Sequence, residues 1–185
     1  YRILVSEVML QQTQVARVTE YYHPFLRAFP DLRALASASP AEVRERWDGL
    51  GYYRRAANLH RLAQTVVRDH EATIPDDPDQ LRALPGVGRY TAGALLSFAY
   101  ELPHAAVDTN VSRVIRRVFH PRLRAGGKGE NRVWETAQRL VPRRGSAAWG
   151  FNQGIMELGA LICTARVKRC GICPVAKGCR SRSEK

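Results

Sequence analysis

The chain has 185 residues, enough to bury a core without staples, either as one large domain or as two small lobes sharing a cleft. Its 29 Lys and Arg against 17 Asp and Glu leave a net charge of +12, an excess that points to a polyanion as partner. No apolar run approaches the roughly 20 residues that cross a bilayer and no secretory signal opens the chain, so no membrane role is expected and the protein reads as soluble and intracellular.

Apolar residues recur at helical spacing from the start, as in Ile3, Leu4, Val8 and then Val15, Val18, Tyr22, whereas alternating, strand-like runs are hard to find. The pattern predicts an all-α fold with helices near residues 2 to 14, 15 to 28, 40 to 47, 53 to 70, 78 to 83, 89 to 100, 109 to 119, 129 to 141 and 148 to 162. Ser39-Pro40 and Asp77-Pro78 place a capping residue before a proline, the arrangement that starts a helix. Gly49-Leu50-Gly51, Gly86-Val87-Gly88 and Gly126-Gly127 break the helices. Glu101-Leu102-Pro103-His104 follows an apolar helix and precedes Ala105-Ala106-Val107, so the lobes are expected at 1–102 and 103–185. Because the chain opens on Tyr1 within helical periodicity, with no initiator Met, a preceding segment is expected.

Glu7 sits among Val5, Val8 and Met9, where desolvation would favour its protonated form; the alternative is an ordinary surface carboxylate. Gln11 and Gln12 read by themselves as solvent-facing helix residues. Tyr52, Tyr53, Arg54 and Arg55 could stack on or pair with nucleic acid, or be core tyrosines beside solvated arginines. In Leu84-Pro85-Gly86-Val87-Gly88-Arg89-Tyr90-Thr91-Ala92 a proline-glycine turn joins two short helices. Its glycines permit positive φ, and the amides opening the second helix suit an anion, met directly or through a monovalent cation, unless the turn is a plain corner. Asp108, before Thr109 and Asn110, is as good a helix N-cap as a catalyst. His23, His60, His70, His104 and His120 show no ligand spacing.

Cys163, Cys170, Cys173 and Cys179 are spaced C-x6-C-x2-C-x5-C, with Pro174 directly after the third. Four soft thiolates on one loop suit a four-iron, four-sulfur (4Fe-4S) cluster, tetrahedral zinc or disulfides. Zinc sites usually pair two short knuckles and only one is present, which favours the cluster, in a structural role. Arg166, Lys168 and Arg169 lie between the first two ligands, and a loop of fixed shape could aim them at phosphates.

Taken together, Leu84-Pro85-Gly86-Val87-Gly88, Val107-Asp108-Thr109-Asn110 and the cysteine loop resemble the helix-hairpin-helix DNA glycosylases that include endonuclease III, over nearly the whole chain. Ser6-Glu7-Val8-Met9-Leu10-Gln11-Gln12-Thr13-Gln14-Val15, Gly49-Leu50-Gly51-Tyr52-Tyr53 and Phe151-Asn152-Gln153 are similar to the MutY-type adenine DNA glycosylases within that family. The resemblance implies a six-helix barrel lobe with the helix-hairpin-helix at about 78–100, an iron-sulfur lobe ending in the 163–179 loop, and an active-site cleft between them. It implies a monomer that binds double-stranded DNA containing a mispaired base, flips out adenine facing 8-oxoguanine or guanine, and hydrolyses its N-glycosidic bond.

Such cleavage passes through an oxocarbenium-like state that wants an acid for the leaving group and a carboxylate near the sugar. Glu7 matches the family's catalytic Glu, which protonates the adenine ring, and Asp108 the Asp that stabilises or attacks the sugar cation. By the same resemblance Tyr90 would hydrogen-bond Glu7, Asn110 would orient the carboxylates, and Gln12 would enter the duplex. Leu10, Gln11 and Glu157 would line the base pocket. Gly86, Val87, Gly88, Arg89 and Thr91 would join the basic loop in holding the DNA backbone. Tyr90 stands where bifunctional relatives carry a lysine, and no lysine precedes Lys128, so Schiff-base strand cleavage is not expected. Thr109 departs from the glycine more usual between the Asp and the Asn. The family's further N-terminal helix and its C-terminal domain, which reads the oxidised guanine, lie outside this sequence. The competing expectations are a thymine or uracil glycosylase acting on mismatches with guanine, and a non-catalytic iron-sulfur DNA-binding module, against which the two carboxylates count.

Overall fold

Capping chemistry sets where the helices begin. In the computed structural model, which describes residues 1–124 and 126–182, Ser39 and Glu42 close a reciprocal capping box at the start of α4 (Pro40–Arg46), with Pro40 in its first turn. Asp77 accepts from the amides of Asp79 and Gln80 at 3.0 and 2.9 Å to open α6 (Pro78–Ala83), and Asp31 accepts from Ala34 to open α3 (Leu32–Ser37). Among the described residues there is no strand; one isolated antiparallel bridge joins Cys163 and Lys168.

The chain divides into two compact units, Tyr1–Leu95 and Leu96–Lys185. The first holds α1 (Arg2–Leu10), α2 (Val15–Ala28), α3, α4, α5 (Arg54–Asp69), α6 and most of α7 (Arg89–Phe98). Leu4, Met9, Phe25, Leu35, Trp47, Leu59 and Leu62 fill its core, with Phe25 edge-on to both Phe29 and Trp47 at 5.0 and 5.7 Å. Two helices depart from the expected pattern, and one residue with them. The first helix stops at Leu10 instead of 14, the six-residue α3 was not anticipated, and Gln12 sits beyond the helix end with φ +56°.

The second unit holds α8 (Thr109–Phe119), α9 (Gly127–Leu140), α10 (Gly145–Glu157) and the cysteine loop. Val111, Val114, Ile115 and Val118 of α8 are buried in this unit, as are Val133, Trp134 and Ala137 of α9, and Arg116 pairs with Glu130 between the two helices at 2.9 Å. The helix of α10 continues into a π-helical turn, Leu158–Ile162, a form that often marks a functional position.

Asn152 anchors α10. Its side chain is 1% exposed, accepts from the Ala106 amide at 3.2 Å and donates to Ser97 Oγ and the His104 carbonyl at 2.9 and 2.8 Å. Asn152→Ala strands a buried donor and a buried acceptor together, so denaturant titration should show a loss of about 2–3 kcal/mol. A loss below about 0.5 kcal/mol would show that the network carries no stability.

Candidate functional site

The carboxylate of Asp108 caps α8, with Oδ1 accepting from the Val111 amide at 2.7 Å and Oδ2 accepting from Asn110 Nδ2 at 2.9 Å. Asn110 is itself oriented, because its Oδ1 accepts from Arg113 Nη2 at 2.7 Å. Arg113 then donates to the carbonyls of Gly159 and Cys163 at 2.6 and 2.9 Å, so one guanidinium ties the start of α8 to the π-helical turn and the cysteine loop. Gly159 permits that approach: a Cβ there would lie 2.7 Å from Asn110 Cβ. Neither Arg113 nor Gly159 stands out in the sequence, since each serves a backbone contact about 50 residues away and neither carries a local motif. Glu157, the last residue of α10, is exposed.

Glu7 is half-buried on α1, beside the buried Val5, Val8 and Met9. Where α1 ends, the buried Arg55 donates from Nη1 to the carbonyls of Val8 and Met9 at 3.1 and 2.6 Å and to that of Gln11, and from Nη2 to that of Gly51 at 3.2 Å. Arg55, expected either to meet nucleic acid or to be solvated, is instead an interior clamp, 7% exposed, and burial lowers its pKa from the ordinary guanidinium value. Gln11, Gln12, Tyr52, Tyr53, Arg54, Arg55 and Asn58 surround a depression enclosing about 750 Å³ of empty space. Leu10 closes α1 half-buried, and Gln12, Tyr52 and Tyr53 are exposed.

The hairpin of α6 and α7 turns at Gly86, whose φ is +79° and where a Cβ would lie 2.8 Å from Asn58 Cβ. Glycine is therefore required for both conformation and space. Val87 is buried and pins the turn, leaving Gly86, Gly88 and Arg89 exposed, with Tyr90 half-buried behind them. Thr91 faces inward, 3% exposed, and its hydroxyl accepts from Gln11 Nε2 at 3.4 Å. A phosphate at the hairpin would meet backbone and Arg89, not the Thr91 hydroxyl.

All four cysteines are unbridged and half-buried, and all four line one pocket with about 410 Å³ of empty space. Val114, Val118, Leu158, Ile162, Val175 and Ala176 supply its apolar wall. Arg117 Nη1 donates to Cys163 Sγ at 3.3 Å and to the carbonyls of Cys163 and Thr164. Among the described residues no three potential ligands converge as tightly as one metal ion requires. Tetrahedral zinc would need sulfurs about 3.8 Å apart, given Zn–S bonds near 2.3 Å. A four-iron cluster binds each thiolate to a different iron and so asks only that the four share one pocket, which they line. Arg166, Lys168 and Arg169 are exposed on a hairpin shaped by the Cys163–Lys168 bridge, the Arg169 amide donating to Ile162 O at 3.1 Å, and Thr164 Oγ1 accepting from the Val167 amide.

Among the described residues no helix is long and apolar enough to cross a membrane. The adenine DNA glycosylase of Mycobacterium tuberculosis is 47% identical over 175 residues, which cover 95% of this chain and 57% of that protein; the chain thus spans little more than half of that relative's length. The solved structure of a thermostable thymine-DNA glycosylase superposes with a TM-score of 0.87 at 31% identity, covering 98% of this chain and 83% of that one. A trapped endonuclease III–DNA covalent intermediate superposes at 0.82 and 26%, covering 97% and 82%. The expected endonuclease III-like, all-helical fold is the one found. Residues 5–143 match the family model for HhH-GPD superfamily base excision DNA repair proteins, and the chain belongs to that superfamily.

Proposed function

We propose that the protein is a monofunctional DNA glycosylase that binds duplex DNA as a monomer, flips out adenine mispaired with 8-oxoguanine or guanine, and hydrolyses its N-glycosidic bond. The observation that carries this reading is the pair of carboxyl groups in unlike settings: Glu7 half-buried beside apolar residues of α1, and Asp108 held by two hydrogen bonds at the start of α8. Glu7 donates its proton to a ring nitrogen of adenine, so that the electrons of the breaking C–N bond leave with a neutral base. Asp108 faces the oxocarbenium ion that remains, and water adds to it, leaving an abasic site. Asn110 and Arg113 position Asp108.

Gln12, displayed beyond α1, fills the gap left by the extruded base; Leu10, Gln11 and Glu157 face the base. Phosphates lie against Gly86, Gly88 and Arg89, through amides or a monovalent cation, and against Arg166, Lys168 and Arg169. A 4Fe-4S cluster on Cys163, Cys170, Cys173 and Cys179 would supply a structural cross-link for the loop that carries those cations. Tyr90 at the first turn of α7 cannot form a Schiff base, so strand cleavage is not part of the reaction.

A thymine glycosylase is the second reading, favoured by the 31% identity and 0.87 TM-score to the thymine-DNA glycosylase structure. Adenine is preferred because the 47%-identical relative is an adenine DNA glycosylase and because Gln11-Gln12 and Phe151-Asn152-Gln153 resemble the MutY-type pattern. Duplexes carrying A opposite 8-oxoguanine, A opposite G, T opposite G and U opposite G, incubated with the protein and then treated with alkali, decide between them. Alkali-dependent breaks at A are expected. Breaks at T but not A support the second reading, breaks without alkali refute monofunctional action, and tight binding with no break at any base leaves the non-catalytic module.

A further inference from the structure

A buried polar cluster outside the two carboxylates surrounds Arg55, whose Nε is left without a partner while both terminal nitrogens are engaged, and its position relative to Gln12 gives it a purpose. The last carbonyls of any helix lack intrahelical partners and carry the negative end of its dipole. At the end of α1 two of them, from Val8 and Met9, are taken by Arg55 Nη1. The same nitrogen, its two N–H bonds shared among three acceptors, also takes the Gln11 carbonyl, in the peptide that leads into Gln12. The other terminal nitrogen takes Gly51 O, which also accepts from Trp47 Nε1 at 3.0 Å, and reaches toward Leu50 O at 3.5 Å. The guanidinium carbon lies 5.4 and 5.3 Å from the ring centroids of Trp47 and Tyr52.

Arg55 therefore joins two turns that are far apart in sequence, one bearing Gln12 and the other Tyr52. Gln12 has a left-handed backbone, which an L-residue with a Cβ adopts only when its surroundings impose it. Its side chain is exposed and so makes little contribution of its own to that conformation. The constraint comes from the peptide before it, whose carbonyl Arg55 holds. Capping the end of α1 would need only the Val8 and Met9 carbonyls; the further bond, to the Gln11 carbonyl, fixes the peptide that enters Gln12.

We infer that Arg55 is the positioning residue of the base-displacing turn: its guanidinium presets Gln12 for entry into the duplex. The inference rests on Gln12 acting as the wedge in the proposed glycosylase. Lysine is the informative replacement, because one ammonium can serve the α1 carbonyls or Gly51 but cannot span both as the planar fork does.

The test uses Arg55→Lys in two backgrounds. With Glu7→Gln to block chemistry, 2-aminopurine replaces the target adenine and its fluorescence gain reports extrusion. Arg55→Lys should cut that gain severalfold, as Gln12→Ala does, with duplex affinity retained and a cooperative thermal transition intact. With Glu7 present, single-turnover excision should fall roughly tenfold to a hundredfold on a fully stacked duplex. It should largely recover when the adenine faces an abasic-site analogue, where extrusion costs less. An equal rate loss on both duplexes, or an unchanged fluorescence gain, overturns the positioning role. If Arg55→Lys lowers the gain but Gln12→Ala does not, Arg55 acts on something other than Gln12 and the inference fails. No fluorescence gain and no excision even with Arg55 intact would instead overturn the glycosylase reading.

Discussion

Replacement of Glu7 by glutamine is expected to slow single-turnover adenine excision by about 10³-fold or more while leaving duplex affinity nearly unchanged. The amide keeps the size and shape of the side chain and removes the one proton the leaving base requires. The companion variant, Asp108→Asn, separates catalysis from folding. Asparagine is as good an N-cap as aspartate, so Oδ1 can still accept from the Val111 amide and α8 keeps its start, while the amide nitrogen that replaces Oδ2 no longer accepts from Asn110. The negative charge that would face the sugar cation disappears with that bond, so activity should fall by a comparable factor, with a stability loss of no more than about 1 kcal/mol for the one hydrogen bond. Asp108→Ala should lose the same activity and about 1 kcal/mol of stability besides. Excision by Glu7→Gln at close to the unmodified rate would falsify the assignment of the acid.

Features whose chemistry is local were legible in the sequence. The Ser39-Pro40 and Asp77-Pro78 signals mark α4 and α6 at their observed starts, because cap and helix lie within four residues of each other. The hairpin turn was legible for the same reason, since Gly86 is dictated by its own φ of +79°; the second demand on it, from Asn58, was not. The end of α1 was not. Helix was expected on to residue 14, through the polar Gln11-Gln12-Thr13-Gln14, but Arg55, more than 40 residues later, takes the carbonyls of Val8 and Met9 and the chain turns after Leu10. Arg55 was equally opaque, since an arginine after two tyrosines in a basic chain looks like surface charge until its acceptors are seen. Arg113, Arg117 and Gly159 are hidden in the same way, each meeting a distant main chain. Asp108 was read as both cap and catalyst, and its capping hydrogen bond is present; the catalytic half awaits the variants above.

Loss of one thiolate is expected to disorder the cysteine loop of the second unit. From Ala160 to Arg182 no side chain is buried, and Leu161, Val167 and Ile172 are 62, 54 and 68% exposed. A segment with so little apolar burial gains little against the entropy of its own ordering, so a cross-link through the four thiols around one pocket would add substantially to the hydrogen bonds that shape it. Cys170→Ser should therefore yield protein low in iron and acid-labile sulfide, with trypsin cutting at Arg166, Lys168 or Arg169 well before unmodified protein is cut. If those three cations meet phosphates, the slope of log affinity against log salt should become shallower by about 2.7, at about 0.9 per phosphate contact. The rate at saturating DNA should fall too, because a disordered loop withdraws the Cys163 carbonyl from Arg113, which orients Asn110 and through it Asp108. An unchanged trypsin pattern and salt slope would mean the loop holds its shape without the metal, and stoichiometric zinc without sulfide would replace the iron-sulfur assignment with a mononuclear one.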